Sequence, residues 1–390
     1  MNVANWEPVK LGEHCEVFSG YPFKSNQFTD NPDDVALVKG ENVGQGSILW
    51  SISKYWPRDD LNQLHRFKLV PGDVVLAMDR PWVPAGLKFA RIPDWAPEAL
   101  LVQRVARLRA KNGLEQAFLP YIISSPNFVA YVQNIGRGVG VPHISGREIE
   151  SFAFNLPPKR IQVEIAELLL RYDELIDTNH RQMALLEKAA HLLYQEWFVH
   201  LRFPGHEHVP ITDGLPQGWK KVKIRELLFR FARKKKIQRV SYLVSGDIPC
   251  VDQSADFIGG FTNDTDALHA EPLPMIVFGD HTRALKFVNF PFASGADGTQ
   301  LIYPNRKGLS PEFFYCALSA IDLSNFFYAR HFKFLKEEEI LLPQEPLIRE
   351  FTHFAAPCFR QIQILRNQNQ RLSYARDLLL PRLISGEIKV

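Results

Sequence analysis

The sequence repeats its opening motif just past its middle. The residues that recur 213 positions later are Trp6, Val9, Lys10 and Glu13, which become Trp219, Val222, Lys223 and Glu226. A second pair of markers, Leu-Pro at 156–157 and at 342–343, precedes a long helical pattern each time. A period near half of the 390-residue chain is too long for a solenoid repeat. It predicts two related domains in a pseudo-two-fold arrangement. Chance similarity of short motifs is the alternative, which two marker pairs in the same order disfavour.

Each half is predicted to be a mixed α/β domain of the α+β class. Short apolar runs typical of strands, such as 73–77 and 275–278, are separated by Gly, Pro and Asn turns. A short helical pattern lies near the end of each domain, at 119–124 and 311–319. The predicted order is domain, long helix, domain, long helix, with the boundaries 1–157, 158–203, 204–343 (linker included) and 344–390.

Two apolar stripes with the spacing of a coiled coil follow the domains. Their apolar members are Ile161, Ile165, Leu168, Tyr172, Leu175, Leu186, Ala189 and Leu193, and then Ile348, Phe351, Ala355, Cys358, Ile362, Leu365, Leu372 and Leu379. The second stripe also includes Arg376. A helix over 160–197 would be about 57 Å long. Pro357 predicts a kink or a late start of the second helix. Since each helix alone would expose a long apolar face, we expect an antiparallel pair.

Both stripes contain amides near their middle, Asn179 and Gln182 in the first and Asn369 in the second. Buried amides in such a seam often fix the register of the helices at a cost in stability. The other interpretation is that they are tolerated at a loosely packed point. The sequence leaves both interpretations open.

Composition excludes several classes of protein. With 46 Lys and Arg against 43 Asp and Glu, the net charge of +3 does not by itself indicate nucleic acid. The four cysteines lie far apart without metal-ligand spacing, so neither a zinc site nor a disulfide framework is predicted. An apolar run of about 18 residues and the regions of a signal peptide are both missing from the sequence. We therefore expect a cytoplasmic protein without a membrane partner or a metal.

Several motifs resemble the specificity subunits of type I restriction–modification systems. Those that resemble the first target-recognition domain lie at 20–25, 39–46, 77–82 and 141–146. Those that resemble a second such domain lie at 248–253, 279–283 and 296–299, and 380–387 resembles the usual end of the second helix. The similarity covers nearly the whole chain in the expected order. The polar stretch after Cys250 departs from the pattern.

The resemblance implies a function for each part. Each target-recognition domain would read one half of a bipartite site in double-stranded DNA. The long helices would set the gap between the halves and dock two modification subunits. Those partners would bind S-adenosylmethionine and methylate adenine, and restriction subunits would join to cleave. The chain itself would hold no cofactor and catalyse nothing.

The predicted DNA contacts are basic and aromatic residues in or near loops. The densest basic run includes Arg233, Lys234, Lys235 and Lys236, which could form a phosphate-contacting strip or merely a solvated face. Arg80 with Trp82, and His281 with Arg283, follow apolar strands, where a loop can present them to base edges. The alternative for each is a salt-bridged surface residue. The remaining predicted contacts are Lys24, Arg137, His143, Arg330 and Lys333.

Two other functions compete with DNA specificity. An enzyme with its own recognition domain would be expected to carry a [DNS]PP[YFW] methyltransferase motif, a P-loop, an HExxH motif or a nucleophile elbow, and the sequence has none of them. A scaffold that binds only protein would not need the arginines and histidines in its loops. Both alternatives are therefore less favoured.

Overall fold

A computed structural model describes residues 6–83, 86–135, 142–325 and 330–390, with the side chains of 60 and 62 left out. The chain divides into two compact units. Unit 1 contains Met1–Ile176 and Gln370–Val390, and unit 2 contains Asp177–Asn369. Each unit is described by itself below.

Unit 1 is a mixed α/β structure. Its strands are β1 (Glu7–Lys10), β2 (Cys15–Ser19), β3 (Val35–Val38), β4 (Gln45–Gly46), β5 (Tyr55–Trp56), β6 (Val74–Ala77), β7 (Trp82–Val83), β8 (Gly86–Leu87), β9 (Phe89–Arg91), β10 (Ala99–Leu101), β11 (Val105–Ala110) and β12 (Ala153–Leu156). Its short helices are α1 (Leu11–His14), α2 (Leu119–Ile123), α3 (Pro126–Ile135) and α4 (Gly146–Glu150). A 3-10 segment spans Arg58–Phe67.

Two sheets form the centre of unit 1. One has the order β2-β11-β6-β9-β4, and the other has the order β10-β3-β5 with β10 parallel to β3. Because side chains alternate along a strand, Ala106 and Leu108 of β11 reach one core, with α2 and α3. Val105 reaches the other core, with β3 and β10. Strand β6 is buried throughout, as its apolar run predicted.

Unit 2 contains a second set of strands and helices. Its strands are β13 (Ile211–Thr212), β14 (Leu215–Pro216), β15 (Lys220–Lys223), β16 (Ile248–Val251), β17 (Gly260–Thr262), β18 (Leu268–His269), β19 (Met275–Gly279), β20 (Leu285–Val288), β21 (Phe292–Ser294), β22 (Thr299–Ile302) and β23 (Glu339–Leu342). Its short helices are α6 (Pro311–Ser319) and α7 (His331–Leu335). The sheet orders are β20-β19-β22 and β17-β16-β21-β18, with β16 parallel to β21.

The duplicated motif occupies corresponding elements in the two units. In unit 1 it forms β1, which pairs antiparallel with β12, and the turn of α1 follows directly. In unit 2 it forms β15, which pairs antiparallel with β23, and the 3-10 turn Ile224–Leu227 follows. Each unit also has a central antiparallel strand, β6 or β19, beside a second sheet with one parallel pair. The repeated sequence motif therefore forms a comparable strand pair, followed by a helical turn, in each unit.

The two long helices extend through both units. Helix α5 spans Lys159–Tyr194 and continues as a π-turn over Gln195–Val199, and helix α8 spans Glu345–Ile384. The predicted late start of the second helix at Pro357 is wrong, since α8 begins twelve residues earlier and passes through Pro357. Pro357 has no backbone N–H, so the carbonyl of His353, four residues earlier, lacks its helical hydrogen bond. Both residues lie on the exposed side of α8. Water can bond to that carbonyl, so the helix continues.

In each unit a tyrosine of a short helix donates a hydrogen bond to a carboxylate of α5. In unit 1, the Tyr121 hydroxyl donates to Asp173 at 2.8 Å, and Arg376 of α8 donates to the same carboxylate at 2.6 Å. In unit 2, the Tyr315 hydroxyl donates to Glu187 at 2.6 Å. Burial, followed by the nearby Glu187, raises the pKa of Tyr315 well above its ordinary value. The tyrosines therefore remain protonated donors at neutral pH and join each sheet core to the long helices.

The predicted seam amides meet in unit 2. Asn179 of α5 donates from Nδ2 to Oδ1 of Asn369 in α8 at 2.8 Å, and both side chains are buried. Gln182 is exposed and therefore does not belong to the buried seam. The geometry of the asparagine pair favours the register-fixing interpretation, because a paired amide is satisfied only at one offset of the two helices.

Replacing Asn369 with leucine should destabilise unit 2 by about 1–3 kcal/mol, because the buried Asn179 amide loses this partner. Replacing both asparagines with leucine should recover most of that loss, since two apolar side chains leave no unpaired amide. Urea denaturation of the wild type, both single variants and the double variant closes a double-mutant cycle. Additive effects of the two single replacements would show that the pair does not act as a unit.

Candidate nucleic-acid interface

In unit 1 the predicted residues gather in the loop that follows β6. Arg80 is exposed and has a φ of 45°, a left-handed conformation that is rare for residues other than glycine. The backbone N–H of Arg80 donates to the backbone carbonyl of Pro142 at 2.7 Å. This hydrogen bond joins the loop to the segment that contains His143. Trp82 lies next to Arg80 in the short β7–β8 hairpin and is 37% exposed. The loop therefore presents a cation and an indole together.

Asp79 holds this arrangement in place. Its Oδ1 lies 2.6 Å from Nδ1 of His143, and its Oδ2 accepts from Nη1 of Arg104 at 2.6 Å. Burial alone would raise the pKa of Asp79, but the hydrogen bonds from Arg104 and His143 outweigh it and lower the pKa. The carboxylate is therefore charged at neutral pH and joins three segments of unit 1. Arg104 is exposed and adds a second cation beside Arg80.

The lowered pKa of Asp79 gives a prediction about stability. A carboxylate with a depressed folded-state pKa stabilises the fold above its unfolded pKa of about 3.9, and the effect is lost as the pH falls through the folded pKa. Asp79→Asn should therefore be less stable than the wild type at pH 7, and the difference should shrink as the pH falls below about 4. Urea denaturation across this range measures the difference. Asp94→Asn, at an exposed carboxylate 3.8 Å from Arg91, is the control and should change little at any pH.

In unit 2 the corresponding loop follows β19. His281 and Arg283 are both exposed, and Arg283 has a φ of 61°. The His281 N–H donates to Oε1 of Gln253 at 3.1 Å, and the Thr282 hydroxyl donates to the Gln253 carbonyl at 2.6 Å. Nη1 of Arg283 donates to the carbonyl of Leu323 at 3.2 Å, so part of this guanidinium supports the loop.

Asp280 joins this loop to α7, as Asp79 joins its loop to His143. The carbonyl of Asp280 accepts from the N–H of His331 at 2.9 Å, and its Oδ1 accepts from the N–H of Phe332 at 2.8 Å. Arg330 and Lys333, two of the predicted contacts, are exposed on either side of this junction. In both units an aspartate after the central strand therefore joins the loop to a second segment, and exposed cations lie beside that junction.

The basic run lies in another part of unit 2. Arg233, Lys234, Lys235 and Lys236 are all exposed. Nζ of Lys234 donates to the Leu268 carbonyl at 2.5 Å, Nζ of Lys236 donates to the Thr299 carbonyl at 2.7 Å, and Nζ of Lys235 lies 2.6 Å from Oδ2 of Asp264. The three lysines therefore hold the basic run against Asp264, Leu268 and Thr299 and also carry positive charge.

One of the predicted residues, Lys24, lies apart from these loops, and another is not described. Lys24 is exposed in a separate loop before the 3-10 turn Ser25–Gln27. Arg137 lies outside the described residues. Sequence reasoning missed Arg104 and Gln253. The sequence feature that could have indicated Arg104 is its position in the turn between two apolar strands. For Gln253 it is the position directly after the buried strand β16.

Among the described residues, no group of three or more His, Cys, Asp or Glu side chains could hold a metal ion. Within the same residues, no helix is both long enough and apolar enough to cross a bilayer. The four cysteines are buried and unbridged, and burial raises the pKa of the Cys250 thiol to about 11.

Comparison with known families finds a match in the first half of the chain. Residues 4–188 match the model of the type I restriction modification DNA specificity domain. Residues 4–188 are therefore similar to DNA specificity domains of the type I restriction–modification family, the same family that the sequence motifs resemble.

Relatives extend the match beyond that domain. The chain is 33% identical over 186 residues to the MjaVIII specificity subunit of Methanocaldococcus jannaschii, covering 47% of this chain and 43% of that protein. It is 32% identical to the EcoAI specificity subunit of Escherichia coli, covering 47% of this chain and 30% of that protein. The chain thus spans less than half the length of these two relatives. It is 25% identical to the MjaIX specificity subunit of M. jannaschii, covering 72% of this chain and 71% of that protein.

One solved structure has a related fold. The crystal structure of the type I restriction–modification S subunit from M. genitalium superposes with a TM-score of 0.53 at 16% identity. The match covers 98% of this chain and 96% of that one. The mixed α/β fold with two domains and long helices is therefore the fold of that S subunit.

Proposed function

We propose that the chain is the DNA specificity subunit of a type I restriction–modification complex. Unit 1 and unit 2 each read one half of a bipartite site in double-stranded DNA. The chain catalyses nothing and binds no cofactor. Two modification subunits supply S-adenosylmethionine and methyl transfer, restriction subunits join the complex, and the assembly works in the cytoplasm, where its DNA is found.

The observation that carries the proposal is the loop arrangement common to both units. In each, an aspartate after the central strand, Asp79 or Asp280, fixes a loop that exposes an arginine and a histidine or a second arginine. Arginine can pair with both acceptors of guanine in the major groove, and cations near it can contact phosphates. Two such loops with different side chains suit two half-sites of different sequence.

The long helices suit the role of a spacer. We propose that α5 and α8 form an antiparallel coiled coil that relates the two units by a pseudo-two-fold axis. The pairing of Asn179 with Asn369, and of Asp173 with Arg376, supports this arrangement. The 36 residues of α5 correspond to about 54 Å of helix, a length that spans a gap of several base pairs between two half-sites.

The same helices offer a surface for the modification subunits. Large apolar side chains are exposed along both of them in each unit, which is costly unless a partner covers them. In unit 1 they are Leu175, Tyr374 and Leu378, and in unit 2 they are Leu185, Leu192, Phe354 and Ile364.

Half-site variants test the proposal most sharply. Arg80→Ala in unit 1 and His281→Ala in unit 2 each remove one exposed side chain from a loop. Each should weaken discrimination in one half-site by about tenfold and leave the other half-site unchanged, and the two variants serve as controls for each other. Binding to a library of duplexes with either half randomised measures this. Loss of discrimination in both halves from one replacement would contradict separate reading.

The absence of catalysis has its own test. The purified chain should transfer no methyl group from S-adenosylmethionine to any duplex. Robust transfer by the chain alone would favour the enzyme interpretation.

A further inference from the structure

Unit 1 has a cavity of about 410 Å³ away from the loops described above. One side of the cavity is formed by the paired strands β2 and β11, and the other side is formed by the end of the 3-10 segment Arg58–Phe67. Its lining includes Glu16, Phe18, Arg66, Lys68, Arg107 and Arg109. None of these residues was predicted to contact DNA.

Arg107 is an unusual lining residue because its charge is buried. Its side chain is only 6% exposed, and its Nε has no hydrogen-bond partner among the described residues. Nη1 donates to the Arg66 carbonyl at 3.0 Å, and the nearest carboxylate, Glu16, is 3.7 Å from Nη2 and itself 55% exposed. Burial, and then repulsion from Arg109, lower the pKa of Arg107 below its ordinary value. A buried guanidinium with so little compensation is costly to the fold.

The other cations of the cavity differ in how they are compensated. Arg109 donates to both carboxylate oxygens of Asp73, at 2.6 and 2.8 Å, and Lys68 pairs with Glu98 at 2.5 Å. Arg66 and Arg107 instead stack near the ring of Phe18, with guanidinium carbons 5.6 and 4.7 Å from its centroid. The two guanidiniums therefore lie beside the same ring. The acids that act on Arg107 are Asp73, which is already bound to Arg109, and Glu16, so the cavity keeps an excess of positive charge.

The duplicated fold shows that a cation is not required at this position. Cys15 of β2 pairs with Ala110, and its counterpart 213 residues later, Leu228, pairs with Pro304. Three residues before each partner lie Arg107 in unit 1 and Leu301 in unit 2. Leu301 packs in an apolar cluster that also holds Phe231, the counterpart of Phe18. Unit 2 thus has a single antiparallel bridge where unit 1 has the β2–β11 ladder, and a leucine lies at the position that corresponds to Arg107. The related arrangement in unit 2 therefore forms without a buried cation.

We propose that this cavity binds a phosphate ester group between Arg66 and Arg107, and that the sugar–phosphate backbone of the bound DNA supplies it. A guanidinium presents parallel N–H donors that match two phosphate oxygens, and Nη2 of Arg107 lies 3.7 Å from Glu16, beyond hydrogen-bond distance. The source of the phosphate rests on the proposed function, whereas the chemistry of the cavity does not. The contact would add affinity without sequence preference.

Two replacements in the full chain test the proposal. Arg107→Met keeps the length of the side chain and its packing on Phe18 but removes the charge, and Arg66→Gln removes the exposed guanidinium. Lys111→Gln, at an exposed lysine at the end of β11, is the control with the same change in net charge. Affinity for a duplex is measured as a function of salt, with thermal unfolding and titration with inorganic phosphate alongside.

Each cavity variant should bind every duplex about tenfold more weakly, with the slope of log K against log salt reduced by about 0.9 for one lost phosphate. Lys111→Gln should change neither the affinity nor the slope. Arg107→Met should unfold at the same temperature as the wild type or higher, whereas a merely structural arginine would make it unfold lower.

The remaining outcomes are distinguishable. If the wild type binds DNA and the cavity variants match Lys111→Gln, DNA is not the source of the phosphate. Saturable binding of inorganic phosphate that both variants abolish would then assign the cavity to a free phosphate, and its absence would overturn the proposal altogether. A wild type that binds no duplex under any salt condition would instead remove the proposed function.

Discussion

Replacing Phe351 with alanine should lower the free energy of unfolding of unit 2 by about 3–5 kcal/mol. Phe351 is fully buried near the start of α8, and its ring lies 5.5 Å from that of Phe198 and 6.0 Å from that of Phe313. These rings join the end of α5 and helix α6 to α8. Truncation would leave a cavity among aromatic side chains that cannot close it.

Phe354→Ala is the matched control for that replacement. It changes the same residue type three positions later on α8, where the side chain is 45% exposed, and it should cost less than about 0.5 kcal/mol. Urea denaturation followed by tryptophan fluorescence compares the two, since Trp197 lies 6.3 Å from Phe351. Equal losses from both variants would mean that α8 does not form the core of unit 2.

Inserting one heptad into each long helix should lengthen the gap in the recognised DNA by about two to three base pairs. Insertion after Ile176 of α5 and after Asn369 of α8 falls where unit 1 and unit 2 divide, so the contacts within each unit are kept. Seven helical residues add about 10 Å, and two turns of a coiled coil return the apolar stripe to the same face. The half-sites themselves should not change.

The control places the same seven residues in the linker, between Gly205 and His206, outside both helices. This variant should recognise the original gap. An unchanged gap in the double-helix insertion, with DNA binding retained, would contradict the spacer role. Selection of bound duplexes from a library with gaps of variable length measures the preferred spacing.

Sequence patterns predicted the elements that local rules determine. The apolar runs that became β6 and β19 and the stripes of α5 and α8 were predicted from periodicity. The repeated motif was predicted to mark two related domains, but the strands β1 and β15 that it forms were not predicted. Pro357 misled the prediction because a proline breaks a helix only where its missing hydrogen bond cannot be replaced. Its position on the exposed side of α8 could not be known without the packing of the helix.

The parts of the site that sequence could not supply depend on contacts between distant segments. Asp79 was a loop residue in the sequence, yet it gathers Arg104 and His143 across 25 and 64 positions. Side chains alternate between the two faces of β11, so Arg107 lies on the face opposite to that of Ala106 and Leu108. From this alternation alone Arg107 would be expected to be exposed. Arg107 is buried because the segment Arg58–Phe67 packs over that end of the sheet. Local sequence patterns do not predict the packing of such a distant segment.

Methylome sequencing of cells that express this chain with its modification subunits tests the central claim most directly. The proposed function, with two DNA-reading units joined by long helices, predicts methylated adenines in one bipartite motif with two defined halves and a fixed gap of unspecified bases. A continuous motif without a gap, or a methylation pattern that does not depend on this chain, would contradict the account.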